Sequence, residues 1–126
     1  PPADLQGTRV LVVDDDFRNL FALTALLERS RANVLTAESG HDALALLVDG
    51  GGAVDIVLMD IMMPIMDGTQ TLAAIRNDAA FKHVPVILMS SLEEAAVRES
   101  CTDYDSFLRK PFRAIAVVRL VAQLLS

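Results

Sequence analysis

The chain has no tryptophan, one tyrosine, one cysteine and two histidines among its 126 residues. Each scarcity closes a route. Cys101 has no partner for an internal disulfide, so a reducing compartment is compatible with it, and its plain role is that of a small buried hydrophobe. His41 and His83 fall at a helix start and in a connector, so with a single cysteine they offer no zinc cluster. Bases are outnumbered, 11 against 17 acids, for a net charge of −6. A phosphate backbone would be repelled, and direct nucleic-acid binding is not expected. Lysine is rarest among the charged residues: only Lys82 and Lys110 are not arginine among the 11 basic positions. No apolar run approaches the roughly 18 residues of a membrane span; even AIAVVRLVAQLLS is broken by Arg119. No membrane contact by this domain is expected. The start, PPADLQG, is too polar and short for a signal peptide. It also lacks an initiator Met, which suggests a piece of a longer protein or a trimmed one.

Apolar residues are plentiful, at 52%. They alternate between short β-branched runs and longer segments of helical period. Strands are expected at 9–14, 33–37, 55–59, 85–89 and 106–109. Helices are expected at about 19–30, from Ser39 as a cap, at about 69–77, from near Leu92, and at about 113–125. DGGGAVD reads as a turn-rich connection. Residues 1–8 read as a linker and 9–126 as one domain without internal repeats. Five βα units with continuously apolar strands imply an α/β fold: a parallel sheet with helices on both faces. Ligands in such sheets sit at the carboxyl ends of the strands.

Those ends carry chemistry. The first run ends in Asp14 and Asp15, the third in Asp60, the fourth in Ser90, and the fifth in Lys110, followed by Pro111. Adjacent carboxylates repel unless water or a cation intervenes. A hard divalent cation such as Mg²⁺ takes oxygen ligands and keeps several waters, which suits two or three acids. An aspartate can attack phosphorus as a nucleophile, and a lysine and a hydroxyl on the same rim would hold the remaining oxygens. Taken singly, each residue has a duller reading as a loop acid, a cap or a surface lysine; their joint placement at successive strand ends is the argument. Asp16 reads as a solvated residue or cap, and Asp67 as a turn residue beside Gly68. Met59, Met62, Met63, Met66 and Met89 read as core and loop filling.

LVVDDD, DIVLMDIMMPIMDG, VPVILMSS and FLRKPF, in this order and spacing over nearly the whole chain, resemble the response-regulator receiver domain of two-component signalling. FRNLFALTALLE further resembles receivers attached to hybrid sensor histidine kinases. The resemblance implies a five-stranded sheet of order 2-1-3-4-5, the flavodoxin-like receiver fold. It implies that Asp60 accepts a phosphoryl group from the phosphohistidine of a histidine kinase or histidine phosphotransfer protein. Mg²⁺ would be held by Asp14, Asp15, Asp60 and the main-chain carbonyl of Met62. Ser90 and Lys110 would hold the phosphoryl group, and Phe107 would be the switch aromatic. It further implies a cis bond before Pro111, a cytoplasmic setting, and a switched surface on the fourth helix, fifth strand and fifth helix, through which a weak homodimer could form. The domain would phosphorylate and dephosphorylate itself without being a multiple-turnover metabolic enzyme. The chain departs from the family where Gly-Ala is common: it has Asp103 and Tyr104.

Two other readings compete with this one. A phosphatase of the haloacid-dehalogenase type would use the D-x-D of Asp14 and Asp16, but it needs a metal-binding acid pair after the lysine, whereas Asp60 precedes Ser90 and Lys110. A degenerate receiver acting as a scaffold would lack some of the key residues, and here all are present.

Overall fold

The computed structural model describes residues 4–49 and 54–126. Five βα units follow one another: β1 Arg9–Val13, α1 Phe17–Arg29, β2 Asn33–Ala37, α2 Gly40–Asp49, β3 Ile56–Asp60, α3 Gly68–Arg76, β4 Val86–Ser90, α4 Glu94–Arg98, β5 Ser106–Arg109 and α5 Ala114–Leu125. The strands pair in parallel in the order β2-β1-β3-β4-β5, as expected. The DGGGAVD connection and the start of the 1–8 linker fall partly on residues 1–3 and 50–53, outside the described residues.

The sequence of the central strands explains the layering. Side chains alternate faces along a strand, and β1, β3 and β4 are apolar at nearly every position, so both faces must be covered. Leu11, Val13, Val57, Met59, Val86 and Leu88 pack with Ala43 and Leu47 of α2, Leu72 and Ile75 of α3, and Val97 of α4. Val10, Val12, Ile56, Leu58, Ile87 and Met89 face the other way, onto Leu20, Leu23 and Leu27 of α1 and Val117, Val118 and Val121 of α5. Each fully buried Val or Leu of this kind contributes about 1.5–3 kcal/mol. Among the described residues, no helix is long and apolar enough to cross a membrane.

Several boundaries move by a residue or two from the sequence expectation, each for a local reason. α1 starts at Phe17, not Asn19, because the Asp16 carboxylate accepts the Arg18 N–H and caps it; of the two readings offered for Asp16, the cap holds. Asp67 is more than a turn residue. It is the N-cap of α3 in a reciprocal capping box with Gln70, which satisfies two orphan donors of the first turn. β1 stops at Val13, while β3 and β4 each run one residue further, to Asp60 and Ser90. α4 is a single short turn pair, Glu94–Arg98, rather than a helix from Leu92. Residues 4–8, read from sequence as part of a linker, lie against the domain. Leu5 is buried with the α1 and α5 side chains, its N–H donates to Ser30 O at 2.8 Å, and Asp4 pairs with Arg31 at 2.7 Å. Cys101 is half-buried rather than buried.

One arginine binds three segments together. Arg76, the last residue of α3, donates to the carbonyls of Asp103, Lys82 and Val84 and to the Asp105 carboxylate. Asp105 also accepts the Val86 N–H at 2.8 Å, so this contact sets where β5 enters the sheet beside β4.

Candidate functional site

The sheet order places the ends of β1, β3 and β4 side by side, with β5 beyond. Asp14 directly follows β1 and Asp60 ends β3; they are 0% and 5% exposed, while Asp15 is exposed. One oxygen from each of Asp14, Asp15 and Asp60 lies within 4.8 Å of the others. Lys110, directly after β5, completes the group. Its Nζ is 3.0 Å from Asp60 Oδ1 and 3.5 Å from Asp14 Oδ2. The Lys110 N–H donates to the Ser90 carbonyl at 2.7 Å, and the Lys110–Pro111 peptide bond is cis.

The surroundings fix these groups. Asp14 accepts the Asp16 N–H at 2.9 Å and the Asn19 side-chain amide at 3.2 Å. Behind Asp60, α3 begins at Gly68, where an added Cβ would stand 2.6 Å from the Asp60 carbonyl and 2.8 Å from Ile61 Cα. Only a residue without a side chain allows that approach. The Gly68 N–H also donates to Ile61 O at 2.9 Å. Asn19 and Gly68 were not singled out from sequence as site residues. Asp14 lies before the helix that carries Asn19, so spacing did not show their contact, and the closeness of Gly68 to the acceptor backbone is tertiary.

Three acids against one lysine leave an excess of negative charge in a partly buried place. Burial first, and then the charges of Asp14 and Asp15, push the Asp60 carboxyl above its ordinary value; the hydrogen bond and charge of Lys110 oppose this without overcoming it. For Lys110, burial pulls the ammonium down, but Asp60 and Asp14 outweigh burial and hold it above its ordinary value. Such a site is chemically suited to a hard cation. The oxygens lie within 4.8 Å of one another, near the roughly 4.2 Å that separates opposite ligands of Mg²⁺ bonded at about 2.1 Å. All donors are oxygens, and an exposed side leaves room for the waters this ion retains.

The other predicted residues take distinct places. Ser90 is buried at the end of β4, and its Oγ accepts the Leu92 N–H at 3.0 Å. Phe107 is half-buried, on the same face as α2, α3 and α4, with its ring centroid 6.3 Å from that of Tyr104. The Tyr104 hydroxyl donates to Glu94 at 2.7 Å and accepts from Arg98 at 3.3 Å, so the residue that departs from Gly-Ala ties α4 to the approach of β5. Met59, Met63 and Met89 are core residues, while Met62 projects outward at 65% exposure.

Comparison with known proteins agrees with this geometry. The family profile described as "Response regulator receiver domain" matches residues 10–122. The chain is 39% identical to Protein PilG of Pseudomonas aeruginosa over 108 residues, covering 84% of this chain and 78% of that protein. It is 33% identical to Sensor protein GacS of Pseudomonas syringae, covering 96% of this chain but only 14% of that longer protein. Among solved structures, the chemotaxis protein CheY4 of Vibrio cholerae superposes with a TM-score of 0.87 over 94% of this chain and 98% of that one. At 23% identity, that likeness speaks for the fold.

Proposed function

Because this chain belongs to the response regulator receiver family, and a receiver domain works with a cognate histidine kinase in two-component signalling, we propose that it accepts a phosphoryl group on Asp60. The donor is the phosphohistidine of a histidine kinase or histidine phosphotransfer protein. The observation that carries this reading is the Lys110 ammonium 3.0 Å from Asp60 Oδ1, inside a cluster of three carboxylates. Asp14, Asp15, Asp60 and the main-chain carbonyl of Met62 are the groups that would hold Mg²⁺. When bound, the ion supplies positive charge against the phosphoryl oxygens.

The chain's own residues do the rest. Asp60 is nearly buried and held by Lys110, so the attacking oxygen is positioned before the donor arrives. The new bond joins Asp60 Oδ to phosphorus as the phosphorus–nitrogen bond of the donor breaks, and the electron pair leaves with the imidazole. Lys110 then pairs with the phosphoryl oxygens. The Ser90 hydroxyl, now an acceptor from Leu92, turns to donate to one of those oxygens. Phe107 turns inward after it, and the α4–β5–α5 surface changes as one state gains population. That surface is also where a weak homodimer would form. The Met62 side chain is apolar and offers an attacking water no help, which favours a long-lived phosphoryl group. The domain is proposed to act in the cytoplasm.

The test is incubation with acetyl phosphate and Mg²⁺, read by intact mass, on wild type and Asp60→Asn. One added phosphoryl group on wild type alone, abolished by EDTA, is expected. No adduct on wild type, despite measured Mg²⁺ binding, would favour the scaffold reading.

A further inference from the structure

Ile65 stands out in the loop that leaves the acceptor strand. Its side chain is 94% exposed and its φ is 69°. The Met66 N–H donates to Pro64 O at 2.7 Å, closing a three-residue turn about Ile65. This is the rare, strained form of γ-turn, with its central residue at positive φ. A β-branched residue there is an outlier, and glycine or asparagine would take that backbone at far lower cost. The fold gains little from the side chain, which faces solvent. The chain therefore carries both a strained turn and an exposed apolar group, five residues from the phosphoacceptor. Strain held by its surroundings at such a place points to recognition.

The neighbourhood indicates what is recognised. Of the eight large apolar side chains exposed among the described residues, Phe17, Phe21, Met62, Ile65 and Leu92 all lie on segments leaving the carboxyl ends of β1, β3 and β4. They gather around the acids rather than scatter. The chain is acidic, at −6, and its site is more so, which disfavours an anionic donor at long range. Asp60 is only 5% exposed, so a protein donor must press against the rim loops to reach it. The exposed apolar side chains on those loops offer that contact a share of apolar burial.

We infer that Ile65 is a docking anchor for the phosphohistidine-bearing protein that serves Asp60: its exposed side chain inserts into that partner and sets which donor is accepted. This rests on the phosphotransfer reading above. Ile65 contacts the partner and not the reacting atoms, so it governs docking rather than chemistry.

The test uses Ile65→Asn, which suits the backbone but removes the apolar group, and Ile65→Leu, which keeps an apolar group without the β-branch. The histidine kinases and phosphotransfer proteins of the source organism are purified and phosphorylated, and the one that labels wild type fastest is the probe. Ile65→Asn is expected to melt about 5 °C higher and to label from acetyl phosphate at the wild-type rate. Its kcat/KM from the probe should fall about tenfold or more, through KM, as for loss of an interface hot spot. Ile65→Leu should stay within roughly threefold of wild type, an apolar swap of similar volume. Transfer to Ile65→Asn at the wild-type rate would overturn the inference and leave the phosphotransfer reading standing. An equal loss of acetyl phosphate labelling would also overturn it, since the loop would then only shape the site. If no phosphohistidine protein labels wild type while acetyl phosphate does, the phosphotransfer reading fails and the inference with it.

Discussion

Replacing the phosphoacceptor should make the metal-free protein more stable. Asp60 lies within 4.8 Å of oxygens on Asp14 and Asp15 and 3.0 Å from Lys110 Nζ. At an effective dielectric of about 20, a like-charge pair no more than 4.8 Å apart costs at least about 3.5 kcal/mol, and the Lys110 pair at 3.0 Å returns about 5.5 kcal/mol. Asp15 is exposed and contributes less than Asp14. The charge interactions nearly cancel, which leaves the cost of burying a carboxylate, itself several kcal/mol. Asparagine removes that cost and can still accept a hydrogen bond from Lys110. The expected gain for Asp60→Asn in EDTA at neutral pH is about 1–2 kcal/mol, or roughly 4–8 °C in Tm. Excess Mg²⁺ should invert the ranking: at a hundred times Kd, wild type gains about 2.7 kcal/mol, and the variant, with a ligand lost, gains little. The pH dependence has a definite sign. Burial holds the folded Asp60 carboxyl above its ordinary value, so between the two values the folded state binds more protons than the unfolded one. Stability from this group is full below the unfolded value and is lost as pH rises through the folded one. The advantage of Asp60→Asn should therefore shrink as pH falls through the raised folded value and be gone below the ordinary carboxylate value of about 4. Thermal melts in EDTA across pH would decide the matter. An Asp60→Asn protein that melts below wild type at neutral pH would mean that the Lys110 pair outweighs burial and repulsion, and the argument would fail.

Other perturbations probe the supports of the site. Gly68→Ala places a methyl 2.6 Å from the Asp60 carbonyl; a loss of about 1–3 kcal/mol is expected in urea unfolding, with slower acetyl phosphate labelling, and an unchanged urea midpoint would refute the close approach. Lys110→Ala removes the one ammonium in the cluster and should slow labelling by about a hundredfold, as for loss of a charge-stabilising donor; intact-mass time courses would measure it. Tyr104→Phe deletes the hydroxyl that Glu94 and Arg98 share, at about 0.5–1 kcal/mol for a partly exposed bond, with faster amide exchange expected in α4.

Much of this was legible in sequence because the signals were local and repeated. Continuous apolar runs at β1, β3 and β4 announced a sheet covered on both faces, while the strand order came from the family resemblance. Asp14, Asp15, Asp60 and Lys110 were legible for the same reason: each is placed by a strand end, and parallel topology brings those ends to one rim. What was missed depends on contacts across the fold. The capping box is the exception: Asp67 and Gln70 are three residues apart, a spacing the sequence shows, and Asp67 was read only as a turn residue. The short α4 lacks a strong periodic face, so its start near Leu92 could not be fixed by pattern. Tyr104 could be flagged as unusual, but not its hydrogen bond to Glu94. Ile65 reads as one more apolar letter in MPIMDG; only the backbone shows its conformation.

α3 has a mechanical consequence of its own. It is a rod nine residues long, about 14 Å at the usual helical rise. Its first residue rests on the Asp60 carbonyl; its last, through Arg76, grips the 82–84 turn and the 103–105 turn that launches β5. A rod clamped at both ends cannot loosen at one end alone. The amides of Gly68, Val86 and Asp105 should therefore open to exchange together, with one free energy, as a single cooperative unit. Arg76→Ala would cut the rod free at its far end, and the three protections should then separate, Val86 and Asp105 falling first.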